Sequence, residues 1–263
     1  MKRGSYLLAT AVIVGLMSMT RAYGQSKPDR LTFDVAAIRR SDPNMRNGYI
    51  KAMPGGNGYL AQNVPVKLMI SLMYKVPMRR IKGAPDWLAT DGYDVEAKAD
   101  HPYSIDDLQV MFQNLLADRF NLKFHKEIKE GPVYALMVDQ SGLKMKVDES
   151  KQDFSIPMND NADGVTVGKR VNMRYFCWWL ERVLHQDERP VIDKTGLTGN
   201  YDFTLSYAPV LPPNVSPEKF PAGLLDRPSI FDALKHQLGL RLEAGRGPVV
   251  YYVIDHVERP SAN

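Results

Sequence analysis

One succession of segments occurs twice along this chain, and it limits the available folds more than any other feature. The stretch Pro190–Tyr207, PVIDKTGLTGNYDFTLSY, has an earlier counterpart in Ile81–Lys98, IKGAPDWLATDGYDVEAK. Each follows an apolar helical pattern, breaks into a polar glycine-containing loop, and ends in a Tyr-Asp pair that opens a strand (Tyr93-Asp94 and Tyr201-Asp202). Around both stretches the order is the same: strand, Asn-capped helix, loop, Tyr-Asp strand, Ser-capped helix, hairpin. We read this as a diverged internal duplication.

In the first copy, Leu31–Ile38 reads as a strand and Gly58–Gln62 as a returning one. The loop between them, with its Pro54-Gly-Gly-Asn-Gly58 tip, lacks the Gly-Lys-Ser/Thr ending of a phosphate loop. Asn63 is placed to cap a helix from about Val64 to Lys75, with Leu68, Met69, Leu72 and Met73 on its apolar face. A strand over Tyr93–Ala99 follows, then Ser104-Ile-Asp-Asp107, which resembles a capping box. The helix it opens carries Leu108, Met111, Phe112, Leu115, Leu116 and Phe120 at helical spacing. Leu122–Lys129 and Val133–Val138 alternate as two strands, joined by a tight connection at Glu130-Gly131. The polar stretch from Gln140 to Gly164 separates the copies.

The second copy repeats this with a strand over Val165–Val171 and an Asn172-capped helix carrying Tyr175, Phe176, Trp179, Leu180 and Val183. The strand Tyr201–Tyr207 is followed by a proline-rich excursion from Pro209 to Pro228, with five prolines between 209 and 221. A helix capped by Ser229 stops at Gly239, and Leu240–Glu243 with Val249–Ile254 form the last hairpin. The expected fold is α+β: two tandem related halves, 25–150 and 151–263, each with two helices on a mostly antiparallel sheet and together one compact unit.

The first 24 residues have the pattern of a secretory signal: Lys2 and Arg3, an apolar run from Tyr6 to Met19, then Ala22 and Gly24 at a cleavage spacing. That run and every later one fall short of the ~20 residues of a comfortable membrane span. The expected location is therefore periplasmic or extracellular, without stable membrane insertion after cleavage. Of 34 Lys and Arg, Lys2, Arg3 and Arg21 lie in the signal, so 31 cations face 30 carboxylates in the mature chain. A near-neutral chain argues against a nucleic-acid binder. A single Cys177 forms no internal disulfide, so packing alone must hold the fold.

The motifs GAPDWL with YDVEAKA, LLADRFNLKFHKE with PVYALMV, PVIDKTGLTGNYDFTL, and PSIFDAL, LGLRLE and VIDHVERPSAN together resemble one group. It is the soil-associated family of secreted proteins of unknown function, expanded in Solibacter-type acidobacteria. The resemblance runs from about Phe33 to Asn263 and implies no reaction, cofactor or catalytic residue. Similar domains attached to membrane metallopeptidases of the beta-lactam-sensor type imply a sensing role as an alternative.

Five histidines (101, 125, 185, 236, 256) show no HxH, HExxH or HxxxH spacing, so neither a metal nor another cofactor is expected. No GxSxG is present, and Cys177, within Phe176-Cys-Trp-Trp179, reads as a buried small hydrophobe. The two loops remain as candidates. Asp193, Lys194 and Thr195 combine an acid, a base and a hydroxyl, while Asp86-Trp87 offers an acid beside an aromatic platform. The competing reading has Asp193 and Thr195 bonding their own backbone in Asx and ST turns. The expected function is a binding module for a glycan, a peptide or an envelope protein, gripped near both loops. The rival is a secreted hydrolase using the loop carboxylates.

Overall fold

The computed structural model describes residues 30–150, 158–160, 165–184, 189–209, 216, 218 and 223–260. The signal, most of the proline-rich excursion and part of the separating stretch lie outside the described residues. Leu31–Asn263 forms one compact unit. Among the described residues it is mixed α+β, with three four-stranded sheets whose pairings are mostly antiparallel.

The first sheet holds β1 (Val35–Arg40), β2 (Tyr49–Ala52), β3 (Gly58–Pro65) and β5 (Gly92–Lys98) in the order β1-β5-β3-β2. Alternation puts Tyr93, Val95 and Ala97 of β5 inside, with Tyr59 and Ala61 of β3 beside them. Helices α1 (Val66–Tyr74) and α3 (Ile105–Arg119) cover that face, burying Met69, Ile70 and Met73 from one and Leu108, Phe112 and Leu116 from the other. A short α2 (Trp87–Thr90) adds Leu88. The other outer sheet holds β7 (Lys146–Val147), β8 (Met158–Asp160), β9 (Val165–Val171) and β11 (Tyr201–Ser206), ordered β7-β11-β9-β8. Helix α4 (Met173–Val183) packs Phe176 and Leu180 into the same cluster as Phe203 and Leu205 of this sheet. So does α5 (Ile230–Ala233), which runs into a π-helical turn, Leu234–Leu238.

The capping chemistry holds at three of four helix starts. Ser104, Asn172 and Ser229 each accept a hydrogen bond from the backbone N–H three residues on, at Asp107, Tyr175 and Asp232. Asn63 does not cap α1, which starts after Pro65. Asn63 instead adopts a left-handed conformation (φ 50°) where the β3–β5 register shifts. Its side-chain amide donates to the Met45 carbonyl at 2.8 Å. Its backbone N–H donates to Asp94 Oδ1 at 3.0 Å. Arg170 does the same in the other outer sheet: φ is 52°, and its N–H donates to Asp202 Oδ1 at 2.9 Å. The aspartate of each Tyr-Asp pair thus satisfies the backbone of a bulged neighbour, while the tyrosine ring goes into the core.

The two expected hairpins do not form. Lys123–Val138 is one continuous strand, β6, and Leu240–His256 is another, β12. They pair antiparallel along their whole length, from Leu240 against Val138 to His256 against Lys123, with Gly131 facing Gly247. Gly131-Pro132 and Gly247-Pro248 carry the turn signal, but both prolines fit an extended strand wherever no ladder bond needs their missing N–H. Long-range pairing overrides the local turn. Two short parallel strands flank the pair, β10 (Val191–Asp193) beside β6 and β4 (Ile81–Lys82) beside β12, giving the order β10-β6-β12-β4.

This exchange builds two cores. Tyr252 and Ile254 of β12 complete the cluster of the N-terminal elements, and Tyr134 and Leu136 of β6 complete that of the C-terminal elements. Leu72 packs against both. Gly239, ending the π-helical turn with φ 68°, lies so close to the Gly142 carbonyl that any side chain would collide with it.

Candidate functional site

Over one face of the central strand pair, the C-terminal end of α1 meets α4. A cleft of about 590 Å³ opens there, lined from both halves of the chain and from the sheet beneath. Its floor is formed by Lys126 and Ile128 of β6 with Val250 and Tyr252 of β12. One wall carries Tyr74, Lys75 and Arg80, and the opposite wall Arg174, Cys177, Trp178 and Glu181, with Asp193 at the edge.

Lys75 occupies a position that few lysines do. It closes α1 in the left-handed conformation (φ 54°, ψ 49°), and its side chain is only 7% exposed. Its ammonium donates to Gln109 Oε1, lies 3.9 Å from Asp106 Oδ1, and sits 5.5 Å from the centre of the Tyr175 ring. Burial lowers its pKa to about 8, with Asp106 opposing the shift and Arg174 adding to it. Arg80 and Glu181 form an ion pair across the two halves, with side chains 11% and 7% exposed. Glu181 also accepts the Val191 N–H at 3.1 Å, which ties β10 to α4. Burial pushes the Glu181 pKa up, against the pull of Arg80 and the Val191 N–H. Arg80 Nε and the neighbouring Arg79 Nη2 are buried without an acceptor among the described residues.

Aromatic surface accompanies the charge. Lys126 Nζ lies 5.3 Å from the Tyr252 ring centre, and Arg182 stacks over Trp178 at 5.0 Å. Tyr74 packs on both Phe124 and Tyr252, and burial raises its hydroxyl pKa to about 12. The cleft presents Lys75, Arg80, Lys126 and Arg174 against Glu181 and Asp193, a cationic excess beside the rings of Tyr74, Trp178 and Tyr252. Burial pushes the Cys177 thiol far up, and Asp193 and Glu181 add to the shift, which disfavours the thiolate that a nucleophile requires.

The two loops singled out from the sequence do not both line this cleft. Ile81 pairs with Tyr252, whereas Asp193 pairs with Leu136, opposite Leu242, ten residues before Tyr252 on the same strand. Asp193 lies at the edge of the cleft, whereas neither Asp86 nor Trp87 lines it. Asp86 is exposed at the start of α2 and makes no side-chain cap. Trp87 is half-buried, edge-on to Tyr93, with the Arg259 guanidinium 4.9 Å over its ring. Asp193 Oδ1 accepts from the Thr195 N–H (2.9 Å) and hydroxyl (2.7 Å), and Thr195 Oγ1 accepts from Leu197 N–H (3.1 Å). These are the Asx and ST turns. Lys194 is exposed, and its N–H holds the Leu136 carbonyl at 2.9 Å. Of the five residues, only Asp193 lines the cleft.

Sequence reasoning passed over Lys75, Arg80 and Glu181. A lysine ending the apolar run Leu68–Tyr74, and a glutamate inside the apolar face Phe176–Val183, were the available signals. Among the described residues, no cluster of three His, Cys, Asp or Glu is placed to hold a metal. No described helix is long and apolar enough to cross a membrane. His125 pairs with Asp255 and His256 with Glu258, each at 2.7 Å and on exposed surface.

No curated protein and no solved structure matches this chain. A family model does match, over residues 67–257, which takes in α1 from its second residue, α4, the whole of β6 and β12 and every residue lining the cleft. The chain belongs to the family described as "Protein of unknown function (DUF3738)".

Proposed function

We propose that this protein is a secreted binding module whose site is the cleft between α1 and α4, and whose ligand is an acidic chain, glycan or peptide. The observation that carries this reading is the charge the cleft holds against the cost of burial. Lys75 is almost fully buried, Arg80 keeps a guanidinium N–H without an acceptor, and Lys126 and Arg174 add to the excess. Burying cations without full pairing is costly. An acidic ligand would add counter-charge at the exposed Lys126 and Arg174, where a cleft lined by one sign of charge draws the opposite sign. The rings of Tyr74 and Trp178 on the walls and Tyr252 on the floor suit a ring or an aliphatic segment between the acidic groups. The secretory pattern of residues 1–24 and the resemblance to the soil-associated secreted proteins of Solibacter-type acidobacteria support an envelope or extracellular setting.

The test is a thermal-shift panel on residues 25–263, pairing acidic ligands with neutral counterparts: hexagalacturonate with maltohexaose, and oligoglutamate with oligoglutamine. A ligand at a hundredfold excess over its dissociation constant stabilises the fold by about 2.7 kcal/mol. Acidic members are expected to raise the melting temperature and neutral ones to leave it unchanged. Equal shifts within each pair, or none at all, would refute the reading.

A further inference from the structure

Among the described residues the central sheet is open along part of its border, and the opening adjoins the cleft. On β6, Tyr134 donates its N–H to the Pro190 carbonyl at 2.8 Å, and the Leu136 carbonyl accepts from Lys194 at 2.9 Å. Even-numbered residues of β6 therefore turn their backbone groups away from β12. Because this direction alternates with period two along a strand, Lys126, Ile128 and Glu130 also face outward. Pro132 occupies the next outward position, where its missing N–H removes no bond to β12. Parallel pairing with β10 covers only Tyr134–Leu136. Among the described residues no backbone group bonds to the outer edge of Lys126, Ile128 or Glu130. The side chains of Lys126 and Ile128 line the cleft, and Ile128 is 69% exposed.

We propose that the ligand of this site is an extended acidic peptide that adds as a strand to the outer edge of β6 over Lys126–Glu130. The inference rests on the cleft reading above and narrows its ligand to one class. Two observations select the occupant. Outward N–H and C=O groups recurring every second residue are matched by a peptide backbone, whereas a glycan has no such regular alternation of donors and acceptors. Alternate side chains of an added strand then fall on the cleft face, where Lys126, Arg174 and Arg80 favour carboxylates. Lys126 and Pro132 are also what keeps an open edge from joining a second copy of the same edge. Five residues at about 3.4 Å each make a ledge of about 17 Å, enough for a short strand.

The experiment is amide-resolved hydrogen exchange on residues 25–263 with the synthetic peptide Val-Glu-Val-Glu-Val-Glu-Val. Its analogue N-methylated at alternate residues keeps every charge but loses the ladder, and hexagalacturonate serves as the non-peptide anion. The plain peptide is expected to slow exchange at Ile128 and Glu130 by about tenfold or more, and the N-methylated one to leave it unchanged. Ile128→Pro removes an outward N–H at an exposed position and is expected to abolish peptide binding while sparing hexagalacturonate. Lys126→Glu, which leaves the backbone intact, is expected to weaken the peptide as well. Peptide binding that survives N-methylation or Ile128→Pro overturns the edge proposal and leaves the cleft reading standing. Hexagalacturonate binding without any peptide binding does the same. If neither probe binds, both fall.

Discussion

Lys75 imposes a stability cost that a single substitution should reveal. Its side chain is 7% exposed, and burial takes its pKa from the ordinary 10.5 to about 8. Between those values the unfolded chain holds a proton that the folded chain does not. Stability therefore rises with pH across that window, and the full penalty applies below pH 8. One pKa unit corresponds to 1.36 kcal/mol, so the penalty at pH 7 is about 3 kcal/mol and falls by about 2 kcal/mol by pH 9.5. Lys75→Met keeps the length of the side chain and removes the charge. It also frees Gln109 Oε1 of its donor, at a cost of roughly 1–3 kcal/mol that does not vary with pH. The unfolding free energy of the parent, minus that of the variant, should thus climb by about 2 kcal/mol from pH 7 to pH 9.5. Urea denaturation of both proteins at half-unit steps measures it. The window ends below pH 10 because Tyr74 and the other buried tyrosines, whose pKa values are raised, begin to matter above it. Parallel pH profiles for the two proteins would refute the assignment of a buried, depressed lysine.

Asp94→Ala and Asp202→Ala each leave the N–H of a bulge residue without its acceptor, and each should cost about 1–3 kcal/mol by denaturant titration. Although burial alone would raise its pKa, Asp94 is held below the usual carboxylate range by bonds from Ser41, Asn63 and Arg39. Its stabilisation is present above the ordinary carboxylate pKa and is lost as pH falls through the depressed value, so the parent's advantage over Asp94→Ala should shrink in acid. Glu181→Ala strands Arg80 in a buried site and should cost about 3–5 kcal/mol in the same assay; a change within experimental error would mean the pair is solvated. Residues 25–150 expressed alone lack Tyr252 and Ile254, which complete the N-terminal core, and should not yield a folded monomer. A cooperative, monomeric unfolding transition for that fragment, seen by calorimetry and gel filtration, would contradict the strand exchange.

Local chemistry was legible in the sequence. Ser104, Asn172 and Ser229 cap helices as their spacing implies, and the Asp193–Thr195 turn forms the bonds that its residue types favour. Asn63 misled because a good capping residue is also a good left-handed residue, and a bulge three positions before α1 claimed it. The central sheet was hidden for a related reason. Gly131-Pro132 and Gly247-Pro248 have the same local character in a turn as at an edge of a strand, and only pairing across more than a hundred residues decides between them. The cleft depends on that decision. Lys75, Lys126, Arg174 and Arg80 are scattered in sequence, and the exchange of β6 and β12 is what places them over one floor.

The most direct test of the central claim is a calorimetric titration of residues 25–263 with acidic peptide and hexagalacturonate at low and high salt. The same titrations are made on the charge-reversed double variant Lys126→Glu/Arg174→Glu, both sites of which line the cleft. The account predicts binding that weakens as salt screens it, and that is lost in the variant while its melting temperature is kept. Binding that persists undiminished in the folded double variant would place the ligand elsewhere and contradict the account.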